Sequence, residues 1–166
     1  LLDGRKLSIA SIADEMSQGK QLWTYSCDPR TGKIAPGLIS WAGVTNPNAE
    51  VMRITFDNGE SVVCTPDHKF PVWNKEFVEA RHLTVGESMI PLYRREESIH
   101  GGNVYEQVFD NDAQNWQWTH RLVADTIPRS WVWNIDYAGH GKTVVHHRNF
   151  NRFDNSPDNL AWMSPV

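Results

Sequence analysis

"VMRITFDNGESVVC", residues 51–64, decides the fold class. Met52, Ile54 and Phe56 alternate with polar neighbours, Asn58-Gly59 follows, and Val62, Val63 and Cys64 return. Alternation marks a half-buried strand, and Asn-Gly accepts the positive φ of a tight reversal. The stretch therefore predicts a β-hairpin.

Shorter runs of the same kind lie on either side. Upstream, "LLDGRKLSI" alternates around Asp3-Gly4 and predicts another hairpin. "SIASIADEM" places Ile9, Ile12, Ala13 and Met16 on one helical face. "LWTYSCDPRTGKIAPGL" reads as two strands around Asp28-Pro29 and Thr31-Gly32. Downstream, "FVEARHLTVGESMIPL" adds a brief turn and another strand. Many short strands with regular turns predict a compact all-β unit.

Directly after the hairpin comes "CTPDHKFPVWN", residues 64–74. Thr65 and His68 are three apart across a Pro-Asp turn, so both can face one spot. A histidine there can protonate a leaving nitrogen while the threonine hydroxyl holds the adjacent carbonyl. A plain turn followed by a surface histidine satisfies the same four residues.

The order of these blocks is informative. A D-G turn, a strand pair, the T-x-x-H block and a V-x-A-x-x-L-x-x-G tail (Val78 to Gly86) follow one another between Leu1 and Leu92. In this order they resemble the N-terminal portion of inteins, the Hint fold. The resemblance implies that Thr65 and His68 activate the N-terminal peptide bond for an N-to-S acyl shift in protein splicing. Inteins place a Cys or Ser nucleophile ahead of the D-G turn and close on His-Asn, and residues 1–166 hold neither. The expectation is thus a Hint portion lacking its first residues and unable to splice alone.

Composition shifts further along. Net charge is −4, which argues against a wholly nucleic-acid-binding surface, but residues 117–166 carry five Lys/Arg against four Asp. That part also holds four of the seven histidines. Between Tyr93 and Asn115 the chain turns polar around Gly101-Gly102, predicting a linker over 96–115 that divides 1–95 from 116–166. Cys27 and Cys64 show no metal-type spacing and read as free thiols in a reducing compartment. No stretch approaches a membrane span, and no signal-peptide pattern opens the chain.

In the second part, "WQWTHRLVADTIPRSW" predicts one helix with Leu122, Val123 and Ile127 packing, stopped at Pro128. "WVWNIDYAGHGKTVVHH" predicts a strand, a glycine turn at 139–141 and a second strand ending at His146-His147. Ser156-Pro157, with Asp158, predicts a helix start. Adjacent strand residues face opposite ways, so His146 and His147 can serve as a metal ligand and as a base. Two buried or surface histidines beside a hairpin fit the pair equally well.

"THRLVADTIP" together with "VVHHRNFNRFDNSPDNLAWMS", from Thr119 to Ser164, resembles the HNH (ββα-metal) endonucleases, especially homing types nested in inteins. The resemblance implies His146 as metal ligand, His147 as general base, Asn159 as the residue holding the base-bearing loop and Asn155 as a loop stabiliser. The family's last ligand, a His or Asn, falls just beyond Val166, so the unit is expected to be truncated before it. Mg²⁺ is the implied ion, with Mn²⁺ or another transition metal accepted. Lys142, Arg148, Arg152 and Arg129 are the nearby cations for DNA phosphates. Trp131, Trp133 and Trp162 read as core.

The expected architecture is a mostly β Hint unit followed by a small α+β ββα-metal unit. The expected function is metal-dependent hydrolysis of DNA by an intein-borne homing endonuclease. Alternatives are one piece of a split intein needing a partner chain, and a non-catalytic remnant that at most binds DNA. Expected partners are double-stranded DNA, a complementary intein fragment and the host exteins, in the cytoplasm of a bacterium or encoded by a phage, with no membrane.

Overall fold

The computed structural model describes residues 1–28, 33–73, 77–99, 101–127 and 143–163. The chain is mostly β, with two α-helices among the described residues. It divides into two compact units: residues 1–28, 33–43 and 92–166 form one, and 29–32 with 44–91 form the other. This division falls elsewhere than at the expected boundary after residue 95.

The smaller unit contains the opening hairpin. Strands β3 (Met52–Thr55) and β4 (Ser61–Cys64) pair antiparallel with Met52 opposite Cys64. Gly59 closes the loop at φ +84°, a left-handed backbone that glycine adopts without strain. β5 (Lys69–Pro71) and β6 (Phe77–Glu79) form a second hairpin, and Val72 bridges Met89.

The larger unit contains α1 (Ile9–Ser17), β1 (Trp23–Cys27) and β2 (Ile34–Leu38) as the sequence predicts. Ser8 caps α1 by accepting the Ser11 amide at 3.1 Å, which satisfies one of the free N–H groups of the first turn. β1 and β2 pair antiparallel; the Asp28-Pro29 and Thr31-Gly32 turn lies largely outside the described residues. The Asp3-Gly4 hairpin does not form. Instead Leu2 is buried, its amide donates to Trp23 O at 2.8 Å, and its carbonyl accepts the Asn155 amide at 2.7 Å. A tight turn does form, with the Gly4 amide donating to Leu1 O at 3.4 Å and Gly4 at φ +84°, but two long-range backbone hydrogen bonds and the buried Leu2 stand where flanking strands were expected.

The predicted linker is a sheet. β7 (Arg94–Ile99), β8 (Asn103–Asp110) and β9 (Asn115–Trp118) form one antiparallel sheet in that order. Gly101 and Gly102, with φ of +90° and +74°, make the reversal that the composition suggested as flexibility. The polarity of β8 is satisfied internally: Arg95 Nε donates to Gln107 Oε1 at 2.8 Å, and Gln117 Nε2 to Asp110 Oδ2 at 3.0 Å.

The predicted helix over residues 116–127 is shorter. Trp116–Trp118 belong to β9, alternating against β8, and α2 spans only Thr119–Ala124. Leu122, Val123 and Ile127 are buried, as their spacing requires. They join Leu2, Ile34, Val108, Ala124 and Leu160 in one core, against which Trp23, Tyr25, Val145 and Trp162 pack.

The expected strand, glycine turn and tryptophans of 128–142 lie outside the described residues. β10 (Val144–His147) pairs antiparallel with β11 (Leu160–Met163). The helix predicted from Ser156-Pro157 is a correction: Pro157–Asn159 make a single 3-10 turn, and the chain then enters β11. Asn159 is pulled into the preceding loop, and Leu160 and Ala161 are buried opposite β10, so continued helix would expose them. Among the described residues no helix is long and apolar enough to cross a membrane.

Candidate functional site

The site grows from the β10–β11 hairpin. Val145 and His147 share the inward face of β10, while His146 faces the other way. His147 is 5% exposed, whereas His146 is half-buried with its ring edge-on to Phe150 at 5.4 Å between centroids. The strand pattern thus separates the two histidines as the sequence implied.

The loop from Arg148 to Asp158 is built by asparagines. Asn159 Oδ1 accepts the Asn149 amide at 3.0 Å, and Asn159 Nδ2 donates to Asp154 O at 2.8 Å. Its backbone carbonyl accepts the Arg148 amide at 2.8 Å. Asn149 Nδ2 in turn donates to Asp154 Oδ2 at 2.7 Å. One buried side chain therefore ties both limbs of the loop. Gly4 packs beneath: a Cβ there would meet the Phe153 carbonyl oxygen at 3.2 Å.

Asn155, 1% exposed, faces His147 with Oδ1 3.2 Å from Nε2. Its Nδ2 donates to Phe153 O at 3.4 Å, which fixes the amide so that the oxygen points at the ring. His147 Nε2 must then carry the proton, leaving the lone pair on Nδ1. Burial pushes the His147 pKa down, opposed by the Asn155 hydrogen bond and the Asp154 charge. A neutral imidazole is the form able to accept a proton.

Behind His147 stands an aromatic group. His120 packs edge-on to it at 5.5 Å, and Tyr105 lies 5.1 Å from His120 and 6.1 Å from His147. Burial lowers the His120 pKa to about 4, with the His147 and Arg121 charges adding to the effect. Its Nδ1 is enclosed and finds no hydrogen-bond partner among the described residues. Sequence reasoning misses both residues. Tyr105 falls in the presumed linker, and nothing in the spacing of "THRLVADTIP" sets His120 apart.

Arg148 and Arg152 are exposed on the loop, with the Arg152 guanidinium 5.8 Å from the Tyr105 ring centre. Arg129 and Lys142 lie outside the described residues. Among the described residues no three His, Cys, Asp or Glu side chains gather to hold a metal ion. His146 is the one expected ligand they include, so these residues do not by themselves fit a metal centre.

Thr65 and His68 belong to the smaller unit. The His68 amide donates to Thr65 O at 3.1 Å, closing the predicted turn. The Thr65 hydroxyl is engaged by Asp67, whose carboxyl it holds below the usual range. His68 is exposed with its ring edge-on to Phe70 at 5.1 Å.

Fold and site together define a mostly β protein with a histidine enclosed under an asparagine-braced hairpin loop. No family model matches the chain. The chain is similar to the DNA gyrase B protein of Synechocystis sp., 38% identical over 169 residues. The match covers 99% of this chain and 15% of the length of that curated relative.

Proposed function

We propose that this chain is part of an intein inserted in a gyrase B-like host and bearing an HNH-type DNA endonuclease. The observation that carries the nuclease reading is the bracing of the His147 loop. Asn159 ties Asn149 to Asp154, and Asn155 sets the tautomer of His147. Those residues occupy the positions that the HNH resemblance assigns to loop asparagine, loop stabiliser and general base. The gyrase match supports the insertion: nearly the whole chain aligns with a small part of a much longer protein.

In this reading His147 Nδ1 takes a proton from water as the water oxygen bonds to phosphorus. The P–O bond to the leaving oxygen breaks, and that oxygen takes a proton from solvent. Arg148 and Arg152 hold the flanking phosphates. A divalent ion, Mg²⁺ or Mn²⁺, belongs to this proposal, with His146 as one ligand. Thr65 and His68 serve the splicing part by polarising and protonating the N-terminal peptide bond.

The test is nicking of supercoiled plasmid DNA by the full chain with Mg²⁺ or Mn²⁺. Relaxed product that EDTA stops and that His147→Ala reduces by roughly 10²–10⁴-fold is expected. DNA left intact in every divalent ion overturns the nuclease reading.

A further inference from the structure

Phe150 sits at φ +62°, in the left-handed region, and is 78% exposed. Both features work against folding. A bulky L-residue is strained in that conformation, and an aromatic ring in water gains nothing from it. Glycine would make the same turn without strain.

The loop nevertheless holds Phe150 firmly. Its amide donates to His147 O at 3.0 Å, and Asn149 Oδ1 accepts the Asn151 amide at 2.9 Å just behind it. The Asn149 amide is itself anchored on Asn159 at 3.0 Å. The same bracing that sets the His147 loop therefore presents this ring outward. Exposed Arg148 and Arg152 stand two residues to either side, and the ring touches His146 edge-on at 5.4 Å. Cations interleaved with an aromatic ring are the surface that grips a nucleic-acid strand: the arginines take phosphates and the ring takes a base face.

We infer that Phe150 is a DNA-contacting residue whose ring wedges between stacked bases of the duplex beside the phosphates that Arg148 and Arg152 hold. The inference rests on the nuclease reading and adds a stacking contact to it. Because stacking on a π-face is sequence-tolerant, Phe150 contributes affinity and strand placement rather than base discrimination.

The experiment compares the full chain with Phe150→Gly and Phe150→Trp. The probe is a short fluorescein-labelled DNA duplex of mixed sequence, titrated at several salt concentrations with EDTA present. Phe150→Gly should melt about 2–4 °C higher, because strain is relieved. It should also bind DNA roughly tenfold more weakly. Its salt dependence should be unchanged, since no phosphate contact is lost, whereas Arg148→Ala should flatten that slope. Phe150→Trp should keep the affinity.

Undiminished DNA binding by Phe150→Gly overturns the inference and leaves the nuclease reading standing. A flattened salt slope in Phe150→Gly also overturns it, because the ring would then only place the arginines. Absence of DNA binding by the unaltered chain brings down both.

Discussion

Asn155 Oδ1 lies 3.2 Å from His147 Nε2, and both side chains are almost wholly enclosed. A neutral amide oxygen in this position orients the imidazole without giving it a counter-charge. Replacing it by a carboxylate in Asn155→Asp should therefore raise the His147 pKa from its lowered position, because the imidazolium gains a partner. Asn155→Leu should leave a buried N–H unpaired and cost about 1–3 kcal/mol of stability. NMR titration of the His147 ring and urea unfolding read the two effects. An unmoved titration in Asn155→Asp would show that the contact does not set the ring.

Asn159 should be the more damaging loop position. Its side chain accepts from one limb of the loop and donates to the other. Asn159→Ala loses both hydrogen bonds and should destabilise the larger unit by about 2–3 kcal/mol. Asn159→Asp keeps the acceptor but turns an oxygen towards the Asp154 carbonyl, so it should not rescue. Chemical denaturation ranks the variants, and rescue by aspartate would count against the two-limbed clasp.

Val108 tests whether residues 96–115 are fold or tether. It is fully buried in the centre of β8 within the core that Leu122, Val123 and Leu160 share. Val108→Ala should cost about 1–3 kcal/mol, the range expected when buried methyl groups are removed. Truncating a residue in a linker would leave stability within experimental error.

That segment shows where the sequence stops being legible. β1, β2, β3 and β4 are legible because turn residues bound them, and β3 also alternates, with Met52 and Ile54 partly buried and Arg53 and Thr55 exposed. The helix α1 is readable, with Ile12 buried and Ala13 and Met16 partly so, although Ile9 of the same expected face is exposed; the packing of Leu122, Val123 and Ile127 is equally readable. β8 is hidden because its buried positions include Gln107 and Asp110, whose partners lie on neighbouring strands. Leu2 reads as part of a local hairpin for the same kind of reason: what pairs with it is Trp23 and Asn155, distant in sequence. Within the site, His146, His147, Asn155 and Asn159 are singled out by the resemblance to HNH endonucleases. Tyr105 and His120 are not, since ring contacts between separate strands and a helix leave no periodic trace. Sequence pattern reports local order, and long-range partners decide the rest.

His120 should make the fold acid-sensitive. Its pKa is about 4 in the folded chain against 6.5 when unperturbed, because burial disfavours the imidazolium. The unfolded chain then binds more protons than the folded one between these values. Stability is fully present above about pH 6.5 and falls as pH drops towards 4, by at most about 1.4 kcal/mol per pH unit from this group. The lowered His147 adds in the same direction. His120→Phe keeps an aromatic ring beside Tyr105 and His147 while removing the titrating group and the unpartnered Nδ1. It should be neutral or stabilising at pH 7 and should flatten the acid limb of the stability curve. Urea midpoints measured from pH 7.5 to 4 for both chains, with other carboxylates common to each, isolate this contribution. Curves that run parallel across that window would show that the His120 ring is not closed off from water.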